Sequence, residues 1–192
     1  MAANVYVGLV HYPIYNKHEQ VVATAITNFD IHDIARTTRT YGIATYFLIH
    51  PHEAQAQLAN EIMEHWQQGG GAQYNPDRQE AFRVVEVAAS IESTIAEIEK
   101  REGKRPRVVT TDARIFPNTV SYAKVREQIS QGDEPVLLLF GTGWGIEKET
   151  MAAFDSILEP IYGPSDYNHL PVRAAVAIIL DRLLGESWWT KA

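Results

Sequence analysis

Apolar and polar positions along this chain follow two alternating periods, one of about two residues and one of about 3.6. The run Val5-Tyr6-Val7-Gly8-Leu9-Val10 is β-branched and aromatic and reads as a first strand, closed by His11-Tyr12-Pro13. Val21 to Thr27 reads as a second, short extended stretch. The period then changes. Asn28-Phe29-Asp30 offers capping side chains for a helix over Ile31 to Tyr41, with Gly42 where a helix-terminating glycine belongs. Ala44 to His50 reads as a buried strand stopped by Pro51. Glu53 to Gln67 has helical spacing, with Leu58, Ile62 and Trp66 on one side. Gln68 to Gly71, with Asn75-Pro76-Asp77, reads as a loop. Arg83 to Ala88 reads as a strand, and Ser90 caps a helix over Ile91 to Arg101 that Gly103 ends. Val108 to Thr111 is a further strand, with Asp112-Ala113-Arg114 at its carboxyl end. Thr119 to Ser130 reads as helix, Pro135 to Phe140 as strand, Glu147 to Ala153 as a short helix and Pro171 to Gly185 as the last one. Pro171 suits a first helical turn, where its missing N–H is not needed.

Strands alternating with helices predict an α/β fold, with a mostly parallel sheet covered by helices on both faces. The 192 residues suffice for one domain, 1–192. Cysteine is absent, which excludes disulfides, thiolate metal sites and a Cys nucleophile, and fits a cytoplasmic protein. The N-terminus lacks a basic region followed by an apolar stretch, and no run is long enough to span a bilayer. Net charge is −7, whereas a chain that binds nucleic acid through a broad basic surface is usually positive. Any such contact falls to a local patch: Arg36, Arg39, the stretch from Lys100 to Arg107, or Arg114, each of which reads first as a solvated face. The seven His residues have no metal-ligand spacing, and no metal is expected. No Gly-x-Ser-x-Gly nucleophile motif is present.

The candidate chemistry lies near the C-terminus. The strand-like run Val136 to Phe140 empties into Gly141-Thr142-Gly143-Trp144-Gly145. Ile146 breaks a dinucleotide fingerprint, and no Gly-Lys-Ser/Thr follows as in a phosphate-gripping loop. A buried strand ending in alternating glycines exposes backbone N–H and C=O groups with little side chain in the way. Ligands of open α/β sheets bind at the carboxyl ends of strands. A second irregular loop, Tyr167-Asn168-His169-Leu170-Pro171-Val172-Arg173, opens an apolar helix and is placed to close the same pocket. Asn28, Asp30, His32 and Arg36 form the remaining polar cluster. Capping by Asn28 or Asp30 explains part of it, and the other reading turns Arg36 toward the C-terminal loops.

These blocks resemble a known superfamily. Leu139 to Ile146, then Pro160-Ile161-Tyr162-Gly163, then Tyr167 to Arg182 are similar to the C-terminal half of SPOUT RNA methyltransferases. His32 to Ile43 is similar to that superfamily's first motif, an Arg on the first helix ahead of a Gly and a strand. The nearest resemblance is to a bacterial branch sometimes fused behind the tRNA guanine-N1 methyltransferase. The resemblance implies a deep C-terminal trefoil knot holding S-adenosylmethionine (SAM), an RNA substrate (tRNA or rRNA), and a homodimer with the substrate pocket at the subunit interface. The donor would contact Phe140, Gly141, Thr142, Gly143, Trp144, Gly145, Ile161, Gly163, Tyr167, Asn168, His169, Leu170 and Val172, with Thr110 and Thr111 close by. Arg36 would hold phosphate or orient the acceptor, with Asp30, His32, Asn168 or Glu147 as further catalytic candidates. Trp144 and His169 to Arg173 stand where the best-known branches carry a Glu between glycines and an Asn-Val-Ser-type segment. With no appended RNA-binding domain in the sequence, a partner RNA-modifying enzyme would be a way to present the substrate. The rival expectations are a SAM-binding sensor or partner subunit without transfer activity, and an unknotted protein that binds ATP or a nicotinamide dinucleotide.

Overall fold

The computed structural model describes residues 3–186, so the two ends of the expected 1–192 domain lie outside the described residues. The chain runs β1 (Val5–Val10), β2 (Ile14–Tyr15), β3 (Val21–Val22), α1 (Asn28–Thr40), β4 (Thr45–Ile49), α2 (Glu53–Gln67), α3 (Gly70–Tyr74), α4 (Pro76–Phe82) and β5 (Val85–Ala88). It continues through α5 (Ile91–Glu102), β6 (Arg107–Thr111), β7 (Thr119–Val120), α6 (Tyr122–Gln131), β8 (Val136–Gly141), α7 (Lys148–Ala152), β9 (Ser156–Leu158) and α8 (Val172–Leu184). Seven strands form one sheet in the order β5-β4-β1-β8-β6-β9-β7, and every pairing in it is parallel. β2 and β3 make a separate antiparallel hairpin.

The period-two pattern of the strands divides the core. Val5, Val7 and Leu9 of β1, Tyr46 and Leu48 of β4, and Val136, Leu138 and Phe140 of β8 point to one face; there they meet apolar residues of α1, α2, α4, α6 and α8. Tyr6 and Val10, Phe47 and Ile49, and Leu137 and Leu139 point to the other, against α5 and α7. Strands apolar on both faces are what a parallel sheet buried between helices requires. Gly8 is where β1 has no side chain to spare: a Cβ there would lie 2.7 Å from Leu139 Cδ2 and 2.9 Å from Ile49 Cδ1.

Several sequence expectations need correction. The cap of α1 is Thr27, whose hydroxyl accepts from the Asp30 amide, one residue before the Asn28 candidate and three before Asp30. The stretch 68–77, expected as a loop, holds α3 and the start of α4: Asn75 caps α4, and Pro76 sits in its first turn, where a proline costs no hydrogen bond. Thr119 to Ser130 is not all helix, because Thr119–Val120 pairs with β9 before Ser121 caps α6. β9 itself had no sequence signal. On α2, Leu58 faces solvent, and Ala59 and Met63 make the buried contact. Of Val21 to Thr27, only the first two residues pair as strand.

Candidate functional site

The carboxyl ends of β6 and β8 open into a cavity of about 650 Å³. That lies within the roughly 300–1,000 Å³ usual for small-molecule sites. Its floor is Phe140 and Thr111; the glycine loop Gly141 to Gly145 forms one wall, and Pro160, Ile161 and Asn168 to Val172 form another. Thr24, Thr27 and Asp30, at the entry to α1, close a third side, and Asp112, Ala113 and Arg114 a fourth. A shallower depression of about 580 Å³ lies between α2 and the edge strand β5, away from the glycine loop.

The glycine loop holds its shape through positive backbone angles, φ +54° at Gly143 and +95° at Gly145, which side-chain-bearing residues rarely adopt. The β2–β3 hairpin braces it. The Trp144 amide donates to the Tyr15 carbonyl at 3.2 Å, the Tyr15 amide to the Gly145 carbonyl at 2.9 Å, and the Glu147 amide to the Pro13 carbonyl at 3.1 Å. Ile14 bridges antiparallel to Ile146. A Cβ on Gly143 would come within 3.0 Å of Ile14 Cγ2 and 3.3 Å of the Tyr15 oxygen. Gly143 is exposed, and its own N–H and C=O take part in none of the hydrogen bonds among the described residues. On the opposite wall, the Asn168 side-chain amide donates to the Ala113 carbonyl at 2.7 Å.

Asp30 is buried at the meeting of α1 and α8. It accepts from the Thr27 hydroxyl at 2.6 Å and lies 3.5 Å from Arg173 Nε, while Arg173 also donates to Asp33 at 2.7 Å. Asp112 grips Arg114 through two parallel contacts of 2.9 and 3.0 Å, in the planar fork that suits guanidinium and carboxylate.

Of the sequence-predicted donor residues, Thr111, Phe140, Gly141, Thr142, Gly143, Trp144, Gly145, Ile161, Asn168, His169, Leu170 and Val172 line the cavity. Thr110 does not: it is fully buried beneath the floor, its hydroxyl turned toward the Leu139 carbonyl. Gly163 and Tyr167 lie on the exposed loop outside the lining, with the Tyr167 ring edge-on to His169. Of the catalytic candidates, Asp30 and Asn168 reach the cavity. His32 does not, because its ring packs against Trp66 and Phe82, where burial lowers its pKa. Arg36 projects from the exposed face of α1 and is not part of the lining. Glu147 is the N-cap of α7; the backbone amides of Glu149 and Thr150 hold its carboxylate in the charged form and lower its pKa, which disfavours a base role. Sequence reasoning missed Thr24, Ala25 and Thr27, for which the only signal was a hydroxyl at each end of an extended stretch leading into a helix.

The candidate nucleic-acid patch also resolves. Arg39 pairs with Glu80, Arg101 with Glu86 and Glu97, Lys104 with Asp133, Arg105 with Asp155, Arg107 with Glu134, and Arg114 with Asp112. Arg36 takes part in none of the ion pairs among the described residues. No helix among the described residues is long and apolar enough to cross a membrane.

Residues 4–185 match the family model described as SAM-dependent RNA methyltransferase. The chain belongs to that family. An uncharacterized protein of Aquifex aeolicus is 45% identical over 184 residues, covering 96% of this chain and 90% of that protein. A tRNA (guanine-N(1)-)-methyltransferase of Oleidesulfovibrio alaskensis is 44% identical over 184 residues, again 96% of this chain but 43% of its own length. The chain thus spans less than half of that longer relative. Among solved structures, the SpoU methyltransferase AviRb from Streptomyces viridochromogenes, in complex with AdoMet, superimposes with a TM-score of 0.61 at 13% identity, over 96% of this chain and 58% of that one. An AdoMet-bound rRNA methyltransferase from Sinorhizobium meliloti does so at 0.56 and 18%, over 95% and 56%. At those identities the likeness is one of fold, and it agrees with the parallel α/β sheet.

Proposed function

We propose that this SAM-dependent RNA methyltransferase binds its donor in the cavity between the glycine loop and the 160–172 segment, and transfers the methyl group to tRNA or rRNA. The observation that carries the reading is the uncommitted Gly143 backbone, on a glycine loop that opens into a cavity of donor size. Backbone N–H and C=O groups suit the adenine edge and the methionine amino and carboxylate groups, while Ile161, Leu170 and Val172 supply apolar wall. The bound donor supplies a sulfonium-activated methyl group, so the chain's task is chiefly to align acceptor and donor. The acceptor's N or O forms a bond to the methyl carbon as the sulfur–methyl bond breaks. A proton leaves the acceptor, and the carboxylate of Asp30, at the cavity edge, is placed to receive it.

Arg36, exposed and without a carboxylate partner, is assigned to an RNA phosphate rather than to the donor. The exposed aromatic residues at the cavity rim, Trp144 at 68% and Tyr167 at 72%, suit stacking with bases. In this reading the chain is a single domain threaded C-terminally as a trefoil knot. Support comes from β8 lying between β1 and β6, so that the chain passes on to β9 and then returns through α8 to pack on α1 and β8. The reading also takes the active form as a cytoplasmic homodimer. The paired cations and the net charge of −7 favour help in holding RNA. A partner RNA-modifying enzyme is the natural source, since relatives named tRNA (guanine-N(1)-)-methyltransferase carry this segment within a longer chain.

The test is isothermal titration with SAM, with ATP and NAD as controls, followed by transfer of labelled methyl groups to RNA from cells lacking the gene. Selective donor binding and RNA labelling are expected. Donor binding without labelling of any RNA, with or without the partner enzyme, would leave a sensor rather than an enzyme.

A further inference from the structure

A chain of hydrogen bonds running from the buried His11 into the cavity wall at Thr24 and Thr142 sets the position of the glycine loop. The Thr142 hydroxyl lies 3.0 Å from the Val10 carbonyl, which only accepts, so Thr142 donates there. A hydroxyl has one hydrogen. In its 2.5 Å contact with Thr24, Thr142 is therefore the acceptor and Thr24 the donor. Thr24, its hydrogen spent, must accept from His11 Nδ1 at 3.0 Å. The direction of the whole chain follows: His11 Nδ1–H to Thr24 to Thr142 to Val10. It also fixes the His11 tautomer as the one protonated on Nδ1.

Thr24 is held on its backbone as well. Its amide donates to the His11 carbonyl at 2.9 Å. Its carbonyl lies 3.0 Å from His50 Nε2. His50 Nδ1 accepts from the His52 amide, so Nε2 carries the hydrogen and donates. Two neutral histidines of defined tautomer thus clamp one threonine, and that threonine pins the loop. His11 is fully buried, His50 nearly so. Neither lines the cavity. Thr142's one hydroxyl hydrogen is taken by the Val10 carbonyl, so its side chain shapes the loop rather than donating to a ligand.

We infer that His11 and Thr24 are positioning residues for the methyl-donor site: their hydrogen-bond chain holds Thr142, and through it the Gly143 backbone, in the geometry that receives the donor. Thr142 and Gly143 are adjacent, and Thr24 lies close beside Gly143, since a Cβ added there would stand 3.3 Å from Thr24 Cγ2. Losing the chain lets the loop relax and leaves Thr142 without its donor. The cost falls on donor affinity rather than on RNA affinity. This inference rests on the donor reading above.

The test compares paired variants by titration with SAM and by steady-state kinetics, on protein with wild-type near-UV circular dichroism. Thr24→Val keeps shape but removes the hydroxyl, and should weaken donor binding about tenfold, the scale of one hydrogen bond lost from a preorganised site. Thr24→Ser should return it to within about twofold of wild type, since its hydroxyl makes the same bonds. His11→Asn, whose side-chain N–H can stand where Nδ1–H stands, should bind near normally, and His11→Phe should behave as Thr24→Val. The rise should appear in the KM for SAM and leave the KM for RNA unchanged. A folded Thr24→Val that binds donor as tightly as wild type overturns the inference, as does a Ser variant that falls as far as Val. Should Thr24→Val not fold, the His11→Asn and His11→Phe pair decides by the same comparison. Failure of the unaltered protein to bind SAM sinks the donor reading itself and this inference with it; normal wild-type binding with indifferent variants sinks this inference alone.

Discussion

The Asn168 side-chain amide ties the loop before α8 to the carboxyl end of β6, through the Ala113 carbonyl at 2.7 Å. The two residues are 55 apart in sequence. Asn168 also accepts on its own carbonyl from the Leu170 amide, which shapes the turn that presents Leu170. Asn168→Ala should therefore loosen one whole wall. Donor affinity should fall about tenfold in titration calorimetry, the worth of one good bond plus some loop ordering. Unchanged affinity would remove Asn168 from the site.

Gly143→Leu should abolish donor binding. The residue sits at φ +54° with Ile14 and Tyr15 against the missing Cβ, so a side chain must distort the loop or displace the hairpin. A bulky residue also covers the free N–H and C=O. Donor titration of a variant with wild-type far-UV circular dichroism is the check, and retained binding counts against the proposed pocket.

Arg36→Ala should separate binding from transfer. The side chain lies outside the cavity, so SAM titration should be indistinguishable from wild type, while methyl transfer to RNA should drop at least tenfold as one charge-assisted contact is lost. Equal turnover in the variant would exclude Arg36 from acceptor binding.

Acid should destabilise the protein through His11. Burial, with the neighbouring His50, lowers its pKa from 6.5 to about 4. In the unfolded chain the same group takes up its proton near 6.5, so the unfolded state binds more protons between those values. Stability is complete above about pH 6.5, falls as pH drops, and stops falling near pH 4, where the folded state also protonates. The loss from this residue is on the order of 3 kcal/mol. Urea melts at pH 7.5, 6.5, 5.5 and 4.5 should show the slope for wild type and a shallower one for His11→Asn. Identical slopes would mean that His11 titrates normally in the fold.

Much of the architecture was readable because parallel strands buried on both faces are long apolar runs: β1, β4, β6 and β8 all announced themselves. The glycine loop after β8 was readable for the same reason, since a buried strand that ends in glycines has few structural alternatives. What failed was local chemistry under tertiary control. Asn75-Pro76 signals a break, but it is also a cap followed by a first-turn proline, and packing of Ala81 and Phe82 on α1 decided for helix. Thr119–Val120 and Ser156–Leu158 are too short to carry a period; they are strands because Ser156–Leu158 pairs with β6 and Thr119–Val120 then adds to it at the sheet edge. The third side of the cavity was invisible because Thr24 acts through residues distant in sequence, His11 before it and Thr142 after it. The hydroxyl pattern shows no such link until the hairpin is folded onto the loop.

The cavity draws its walls from residues 24–30, 111–114, 140–145 and 159–179. No contiguous fragment of the chain contains them all except one running nearly end to end. With the donor in this cavity as proposed, donor binding becomes a readout of completed folding rather than of any subdomain. By mass action, donor at a hundred times its dissociation constant should add about 2.7 kcal/mol to the native state. The methyl donor would then act on stability as well as on turnover, and the folded fraction of this protein would rise with the level of SAM.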